Sequence, residues 1–325
     1  MKTNAIRVHK IGGPEEMVFE SLDVPKPKEN EVIIRQNVIG LNFIDTYFRS
    51  GLYPAPLPTS IGMEAAGVIE ELGKDVTEFK VGDRVAYAAS PLGSYSEVRV
   101  FPTNNLVKIP DDITDETAAA IMLKGMTAEY LIRRTFKVSS GQTVLFHAAA
   151  GGVGLIASQW LNALGATVIG TVGSEEKAEL AKANGCDHTI LYKEENFVDK
   201  VKEITNGSGV PVVYDSVGKD TALLSLDCLS PLGLLVIFGN SSGNAPPIEP
   251  GLLAAKGSLF VTRPTLFNYN DTREKLIESA NQVFNIVRSG KVSIKIGAKY
   301  SLKDAVQAHK DLEARKTSGC ILLIP

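Results

Sequence analysis

The apolar residues of the chain follow two rhythms. Between about residues 5 and 120 they come in short alternating stretches punctuated by glycine: "EVIIRQNVIG" (31–40), "AAGVIEELG" (65–73), "VGDRVAYA" (81–88) and "SYSEVRVF" (94–101). Alternation of period two, bounded by turns, predicts strands of a mainly antiparallel, barrel-like domain. From about residue 125 onward, continuous apolar strands alternate with amphipathic helices. "TVLFH" (143–147), "ATVIGTV" (166–172), "HTILY" (188–192), "VPVVYD" (210–215), "GLLVIFG" (233–239) and "GSLFVTRP" (257–264) read as strands. "VGLIASQWLNALG" (153–165) and "SEEKAELAKANG" (174–185) read as helices stopped by Gly165 and Gly185, with further helical stretches near 195–205 and 219–229. That texture predicts an α/β fold with a parallel sheet covered on both faces. After Pro264 the helix "TREKLIESANQVFNIVRSG" (272–290) leads to a mixed tail ending in the apolar "CILLIP". The expected division is a first domain of 1–124 with 265–325, and an inserted α/β domain of 125–264.

Composition narrows the function. A chain of 325 residues with 44% hydrophobic and 22% charged residues has the makeup of a soluble globular protein with room for two domains. Its formal charge of -3 offers no electrostatic case for nucleic acid or an anionic membrane. The N-terminus lacks a secretory apolar region, and no apolar run reaches the roughly 20 residues that a bilayer span requires. Cys186, Cys228 and Cys320 are few and far apart, which fits a reducing cytoplasm better than a disulfide framework.

The candidate chemistry lies in "LFHAAAGGVG" (145–154). Ala149, Gly151 and Gly154 fill the G-x-G-x-x-G register of a dinucleotide-binding turn except at its first position. A buried strand precedes the stretch and a helix follows it, which is the context the motif needs. Gly151 and Gly152 leave room for a pyrophosphate near the backbone, Gly154 lets helix and strand pack closely, and the helix N-terminus offers N–H groups. An NAD site normally places Asp or Glu at the end of the second strand. Here Val172 and Gly173 stand there, followed by Ser174 and Lys177, which could hold a 2′-phosphate. Glu175 and Glu176 argue the other way, although in a first helical turn they serve the helix dipole. NADP is therefore expected in preference to NAD.

Metal chemistry has no support in the residues. The stretch before Cys186 contains no cysteine, and the four histidines, His9, His147, His188 and His309, are scattered. Each is expected to be a strand-end or surface residue. No zinc ligand set and no Ser-His-Asp arrangement can be assembled.

Longer segments add a resemblance. "NFIDTYFRSGLYP" (42–54), "IGMEAAGVIEELG" (61–73), "VGDRVAY" (81–87), "LKGMTAEYLI" (123–132), "HAAAGGVGLIASQWLNALGA" (147–166), "VYDSVG" (213–218), "FGNSSG" (238–243) and "GSLFVTRPTL" (257–266) resemble the zinc-free quinone oxidoreductases. These are the zeta-crystallin-like branch of the medium-chain reductases, and the bacterial NADPH:quinone reductases among them are the most similar. Met63 stands in "GME" where zinc relatives carry histidine. The resemblance implies a GroES-like catalytic domain made from the two chain ends, a Rossmann-like insertion, and a cofactor in the cleft between them. It further implies NADPH as donor, a quinone as acceptor, and a homodimer joined through edge strands, with "GSLFVTRP" as the candidate edge.

Residue by residue, the resemblance assigns Gly152 and Val153 to the pyrophosphate turn. It assigns Gly173, Ser174, Lys177, Tyr192 and Arg315 to the adenosine and its 2′-phosphate, and Thr127 to the nicotinamide ribose. Ser216, Phe238, Gly239, Asn240, Ser241 and Arg263 would line the rest of the cofactor. Asn42 and Tyr47 match the nicotinamide end, and Tyr53 faces the quinone; Asn42 and Tyr53 are expected to orient the substrate. Alignment of two planar rings would be the main catalytic contribution, with no dedicated acid required. Two alternatives stay open at this point: reduction of an enone C=C bond, and non-catalytic NADPH binding of the crystallin or RNA-binding kind.

Overall fold

A computed structural model describes every residue from Met1 to Pro325. In chain order the first part holds β1 (Lys2–Val8), β2 (Met17–Asp23), β3 (Glu31–Leu41), α1 (Phe43–Ser50), β4 (Thr59–Ser60), β5 (Glu64–Leu72), β6 (Arg84–Ala88), β7 (Val98–Pro102), β8 (Val107–Lys108) and α2 (Asp115–Tyr130). Strands and helices then alternate: β9 (Thr143–His147), α3 (Gly152–Ala163), β10 (Thr167–Val172), α4 (Glu175–Ala183), β11 (His188–Leu191), α5 (Phe197–Ile204), β12 (Val210–Asp215), α6 (Ala222–Ser225), β13 (Leu229–Ile237), α7 (Pro250–Ala255), β14 (Phe260–Thr262) and α8 (Leu266–Tyr269). The tail holds α9 (Arg273–Arg288), β15 (Ile296–Ser301), α10 (Ala305–Glu313) and β16 (Cys320–Ile324). Two compact units result. One comprises Met1–Met126, Asn270–Arg288 and Ile294–Pro325; the other comprises Thr127–Tyr269 and Ser289–Ser293.

Three segments depart from their sequence expectation for local reasons. α2 is a helix that apolar periodicity does not announce: Ala118, Ala119, Ala120, Ile121, Met122, Met126 and Ala128 are all buried, so no polar face marks the helix period. The strand expected over 257–264 shrinks to Phe260–Thr262, because Gly257 and Ser258 take positive φ angles in a turn. The helical stretch near 219–229 is α6 followed by a single 3-10 turn.

In the first unit β16 pairs antiparallel with β3, setting Ile321 opposite Leu41 and Leu323 opposite Ile39. The last strand of the chain thereby enters the sheet β15-β16-β3-β5-β6-β8, where β7 also pairs with β3. Ile34, Ile39, Ile69, Tyr87, Phe101, Leu302, Ile321 and Leu323 share one core. Burying these apolar side chains supplies most of the drive to fold, at about 1.5–3 kcal/mol for each fully buried Leu or Ile.

A polar chain crosses the same unit. Asp45, in the first turn of α1, accepts the Tyr95 hydroxyl at 3.0 Å through Oδ2. Tyr95 also meets His309 Nε2 on α10 at 3.0 Å, and Arg49 Nη1 meets His309 Nδ1 at 2.9 Å. Arg49 reaches Glu313 at 2.6 Å. A guanidinium only donates, so His309 Nδ1 accepts and Nε2 carries the hydrogen. That hydrogen goes to Tyr95, whose own hydroxyl hydrogen goes to Asp45. The expectation that His309 is a strand-end or surface residue is corrected: it is fully buried, in a helix.

Burial pushes Asp45 up to about 7, and its Oδ1 has no hydrogen-bond partner. Burial, aided by the charge of Arg49, pulls His309 down to about 3. The signs oppose. Asp45 keeps its proton in the fold where the unfolded chain loses it near 3.8, so its stabilising contribution is lost as pH rises from 3.8 through about 7. His309 stays neutral in the fold, so its contribution is lost as pH falls from 6.5 through about 3. Where those windows overlap, from 3.8 to 6.5, the two slopes nearly cancel. Asp45→Asn is expected to unmask stability that rises with pH between about 4.5 and 6.5, and His309→Gln stability that falls. Each slope can reach about 1.4 kcal/mol per pH unit, read from urea denaturation. Parent-like slopes in both variants would refute the pairing.

The second unit is one six-stranded sheet in the order β11-β10-β9-β12-β13-β14, parallel throughout. Counted from β9 this is 3-2-1-4-5-6, the doubly wound, Rossmann-like order. Leu145 lies between Ile169 and Val213, and Tyr214 between Phe146 and Val236. Apolar residues on neighbouring strands therefore form a continuous layer beneath the helices.

Candidate functional site

The turn after β9 is built by close approach. A Cβ on Gly154 would lie 2.5 Å from the Ala148 carbonyl oxygen and 2.6 Å from that of Ala149. No side chain fits there. Gly151 caps α3 with its backbone alone, without a side-chain hydrogen bond, so the first N–H groups of this 12-residue helix face the turn. The left-handed residue is Ala148, with φ 55°, not Ala149. Ala149 is buried, and a Cβ on Gly170 of β10 would lie 2.7 Å from its methyl group. The methyl that departs from the fingerprint is accommodated because the neighbouring strand has a glycine opposite it.

β10 ends at Val172, and Ser174 caps α4 by accepting the Lys177 N–H at 3.4 Å. A Cβ on Gly173 would lie 3.3 Å from the Tyr192 hydroxyl and 3.6 Å from Lys193 Cε. Gly173, Ser174 and Tyr192 are thus brought together where an NAD site would carry its acid. Lys193, exposed beside them, escaped the sequence reading; its only signal was adjacency to Tyr192.

Past β12 and β13 two loops are laced to each other. Phe238 N–H donates to the Asp215 carbonyl at 2.7 Å and Ser241 N–H to the Ser216 carbonyl at 3.1 Å. A Cβ on Gly239 would lie 2.6 Å from the Ser216 carbonyl oxygen. Ser216, Phe238, Gly239, Asn240 and Ser241 consequently form one cluster, and Arg263 follows the end of β14. Thr127 is buried on α2, and Arg315 is exposed after α10 with φ 59°.

Beneath the strand ends lies a Ser-His-Asp set that the sequence reading did not assemble. His147 Nδ1 is 2.8 Å from Thr171 Oγ1 and Nε2 is 2.9 Å from Ser225 Oγ. The single Ser225 hydroxyl hydrogen has the Thr221 carbonyl at 2.9 Å and Asp215 Oδ2 at 3.4 Å, while Asp215 accepts Val217 N–H at 2.7 Å, Gly218 N–H at 3.0 Å and Thr221 Oγ1 at 2.7 Å. Asp215 contacts the serine rather than the histidine, and all three residues are fully buried. The arrangement ties β9, β10 and β12 together and activates no nucleophile. Burial lowers the His147 pKa, opposed by the charge of Asp215. His147 does end a strand, as expected, but in the interior.

In the first unit Tyr47 and Tyr53 meet edge to face with ring centroids 5.2 Å apart, and Phe43 and Phe48 extend the aromatic group. The Tyr53 N–H donates to the Tyr47 carbonyl at 3.0 Å. Asn42 is buried at the start of α1, where its N–H donates to Asp45 at 2.9 Å and its Nδ2 to Glu64 at 2.7 Å. Lys124 also donates to Glu64, at 3.1 Å. Neither Glu64 nor Lys124 was singled out in the sequence, although "GME" and "LKGM" contain them. No group of three or more His, Cys, Asp or Glu side chains is placed to hold a metal ion, and no helix is long and apolar enough to cross a membrane.

Two family models match the chain: an alcohol dehydrogenase GroES-like domain over residues 28–111 and a zinc-binding dehydrogenase over residues 152–282. A quinone oxidoreductase of Pseudomonas aeruginosa is 53% identical, the match covering 98% of this chain and 99% of the relative. A 2-haloacrylate reductase from a Burkholderia species is 47% identical over 98% of each chain. The solved structure of Escherichia coli quinone oxidoreductase complexed with NADPH superposes with a TM-score of 0.98 at 50% identity, covering 99% of this chain and 100% of that one. With these matches over nearly its whole length, the chain belongs to the quinone oxidoreductases of the medium-chain dehydrogenase/reductase family.

Proposed function

We propose that this chain is an NADPH-dependent quinone reductase. The observation that carries the reading is a row of residues along one edge of the six-stranded sheet. Gly152 and Val153 follow β9, Gly173 to Lys177 follow β10, Tyr192 follows β11, Ser216 follows β12, Phe238 to Ser241 follow β13 and Arg263 follows β14. Doubly wound sheets take nucleotides at the carboxyl ends of their strands. The relative crystallised with NADPH and the quinone oxidoreductase names of relatives at 50–53% identity support the same assignment.

The residues present fit this cofactor. Gly152 and Val153, at the start of a helix without a side-chain cap, offer N–H groups to the pyrophosphate. At the end of β10 stand Val172 and Gly173 in place of an acid, and Glu175 and Glu176 fall in the first turn of α4, whereas Ser174, Lys177, Tyr192, Lys193 and Arg315 are donors suited to a 2′-phosphate. Thr127, Ser216, Phe238, Gly239, Asn240, Ser241 and Arg263 are assigned to the remainder, with Asn42 and Tyr47 at the nicotinamide end. Tyr53, half-buried against Tyr47, gives a planar acceptor an aromatic wall. Bound NADPH supplies a hydride. A hydroquinone oxygen can take its proton from water, so no residue is assigned as proton donor. The three unpaired, buried cysteines fit a reducing compartment such as the cytoplasm.

We further propose a homodimer joined along β14. This strand closes the sheet with β13 on one side only, Phe260 is 59% exposed on it, and Leu232 beside it is 67% exposed. An apolar edge left open invites pairing with a second copy. Phe260→Lys should yield a monomer in sedimentation equilibrium; a parent sedimenting as a monomer would overturn this arrangement.

Lys177→Ala is expected to raise the Michaelis constant for NADPH about tenfold, a loss of about 1.4 kcal/mol, and to leave that for NADH nearly alone. Equal effects on both would remove Lys177 from the phosphate site. In a panel of quinones, enones and 2-haloacrylates with NADPH, quinones should turn over fastest, and the rate should survive exhaustive EDTA treatment. Faster reduction of the unsaturated acids would shift the reading to C=C reduction. Loss of activity restored by zinc would end the metal-independent account.

A further inference from the structure

Glu64 occupies a buried place that the fold has cleared for it. Its cross-strand partner is Gly40, and a Cβ on Gly40 would overlap both the Glu64 carboxylate and the Ala119 carbonyl. Glu64 Oε1 accepts the Leu123 N–H at 2.6 Å. Oε2 accepts Lys124 Nζ at 3.1 Å and Asn42 Nδ2 at 2.7 Å. Asn42, Glu64 and Lys124 are all buried, so the carboxylate and the ammonium neutralise each other in a water-poor setting. Burial alone would lower the Lys124 pKa, but the attraction of Glu64 leaves it above its ordinary value.

The pair fixes the orientation of the Asn42 amide. Which way an amide faces is decided by its hydrogen-bond partners, and a carboxylate can only accept. Asn42 must therefore turn its NH2 toward Glu64. The second N–H of that group goes to the Gly40 carbonyl at 3.3 Å. Both donors are engaged; Oδ1, an acceptor with two lone pairs, faces the Asp45 backbone in the capping box of α1 and keeps one lone pair for a further donor.

We propose that Glu64, balanced by Lys124, is a positioning residue that holds Asn42 as an acceptor toward the nicotinamide end of the cofactor, where Oδ1 takes an N–H or O–H of the carboxamide or ribose. This rests on the NADPH assignment above, and it revises the expected role of Asn42: an acceptor cannot orient a quinone through the quinone carbonyl. Tyr53 is then the remaining candidate for that task. Removing Glu64 releases the amide to rotate and present its NH2 instead.

The test separates the two ends of the cofactor. In Glu64→Gln/Lys124→Met the charges leave together, so neither is stranded in the interior. NADPH and adenosine 2′,5′-bisphosphate, which lacks the nicotinamide half, are titrated calorimetrically into parent and variant. The variant is expected to bind NADPH about tenfold more weakly and the bisphosphate within about twofold of the parent. Unchanged NADPH affinity, or an equal loss for both ligands, would overturn the proposal; a merely structural role lowers both together. If the double variant lacks a cooperative melt, Glu64→Gln alone carries the same comparison, because a buried Lys124 can shed its proton. A parent that binds neither ligand would refute the cofactor assignment itself, a separate result.

Discussion

Where α3 meets β9 at Gly154, the next heavy atoms to a notional Cβ are backbone carbonyl oxygens of Ala148 and Ala149 at 2.5 and 2.6 Å. Backbone cannot swing aside as a long side chain can, so any larger residue would lift the helix from the strand or distort the turn. The close seat delivers the uncapped first turn of α3 to the carboxyl edge of the sheet, with its N–H groups facing outward. Beneath it, His147 is held by Thr171 and Ser225, Asp215 takes donors from Val217, Gly218 and Thr221, and the network joins three strand ends. A rigid floor and a close helix together make the edge able to present backbone donors at fixed positions.

The first unit handles buried charge in two different ways. Glu64 and Lys124 remain an ion pair, each compensating the other at 3.1 Å. Asp45 and His309 are joined only through Tyr95, and burial drives both toward their neutral forms near pH 5–6. The distinction follows from what each group can reach. Glu64 has a cation and two further donors, whereas Asp45 has an orphaned Oδ1 and no cation in contact. Both devices converge on the start of α1, where Asn42 touches Glu64 through its amide and Asp45 through its backbone N–H.

The parts of the molecule that could be read in the sequence are those whose signal is local. Six apolar strands spaced by helices announce the parallel sheet, and the Gly-rich stretch between a strand and a helix announces the nucleotide turn. α2 gave no signal, because a helix buried on all sides has no stripe to detect. Glu64 and Lys124 lie 60 residues apart and become partners only once β5 and α2 are packed. Lys193 acquires meaning from Gly173, twenty positions earlier, through the parallel pairing of β10 with β11. His309 could not be distinguished from a surface histidine until Tyr95 and Arg49 were placed on its two nitrogens. Pairing across sheets and helices, rather than composition, decides all of these.

The incomplete fingerprint is the plainest case of that rule. G-x-G-x-x-G asks for a first glycine because the turn is tight and the neighbouring strand is close. In this chain the two demands fall on different residues. Ala148 takes the left-handed turn at φ 55°, a conformation that costs a non-glycine residue roughly 1–2 kcal/mol. The crowding at Ala149 is relieved from the other side, since Gly170 on β10 withholds the methyl group that would have met it at 2.7 Å. One glycine of the motif has in effect moved to the next strand, where a scan of the turn alone cannot find it. The third glycine has no such substitute: the atoms facing Gly154 are carbonyl oxygens of the turn itself, and no change elsewhere in the chain could remove them.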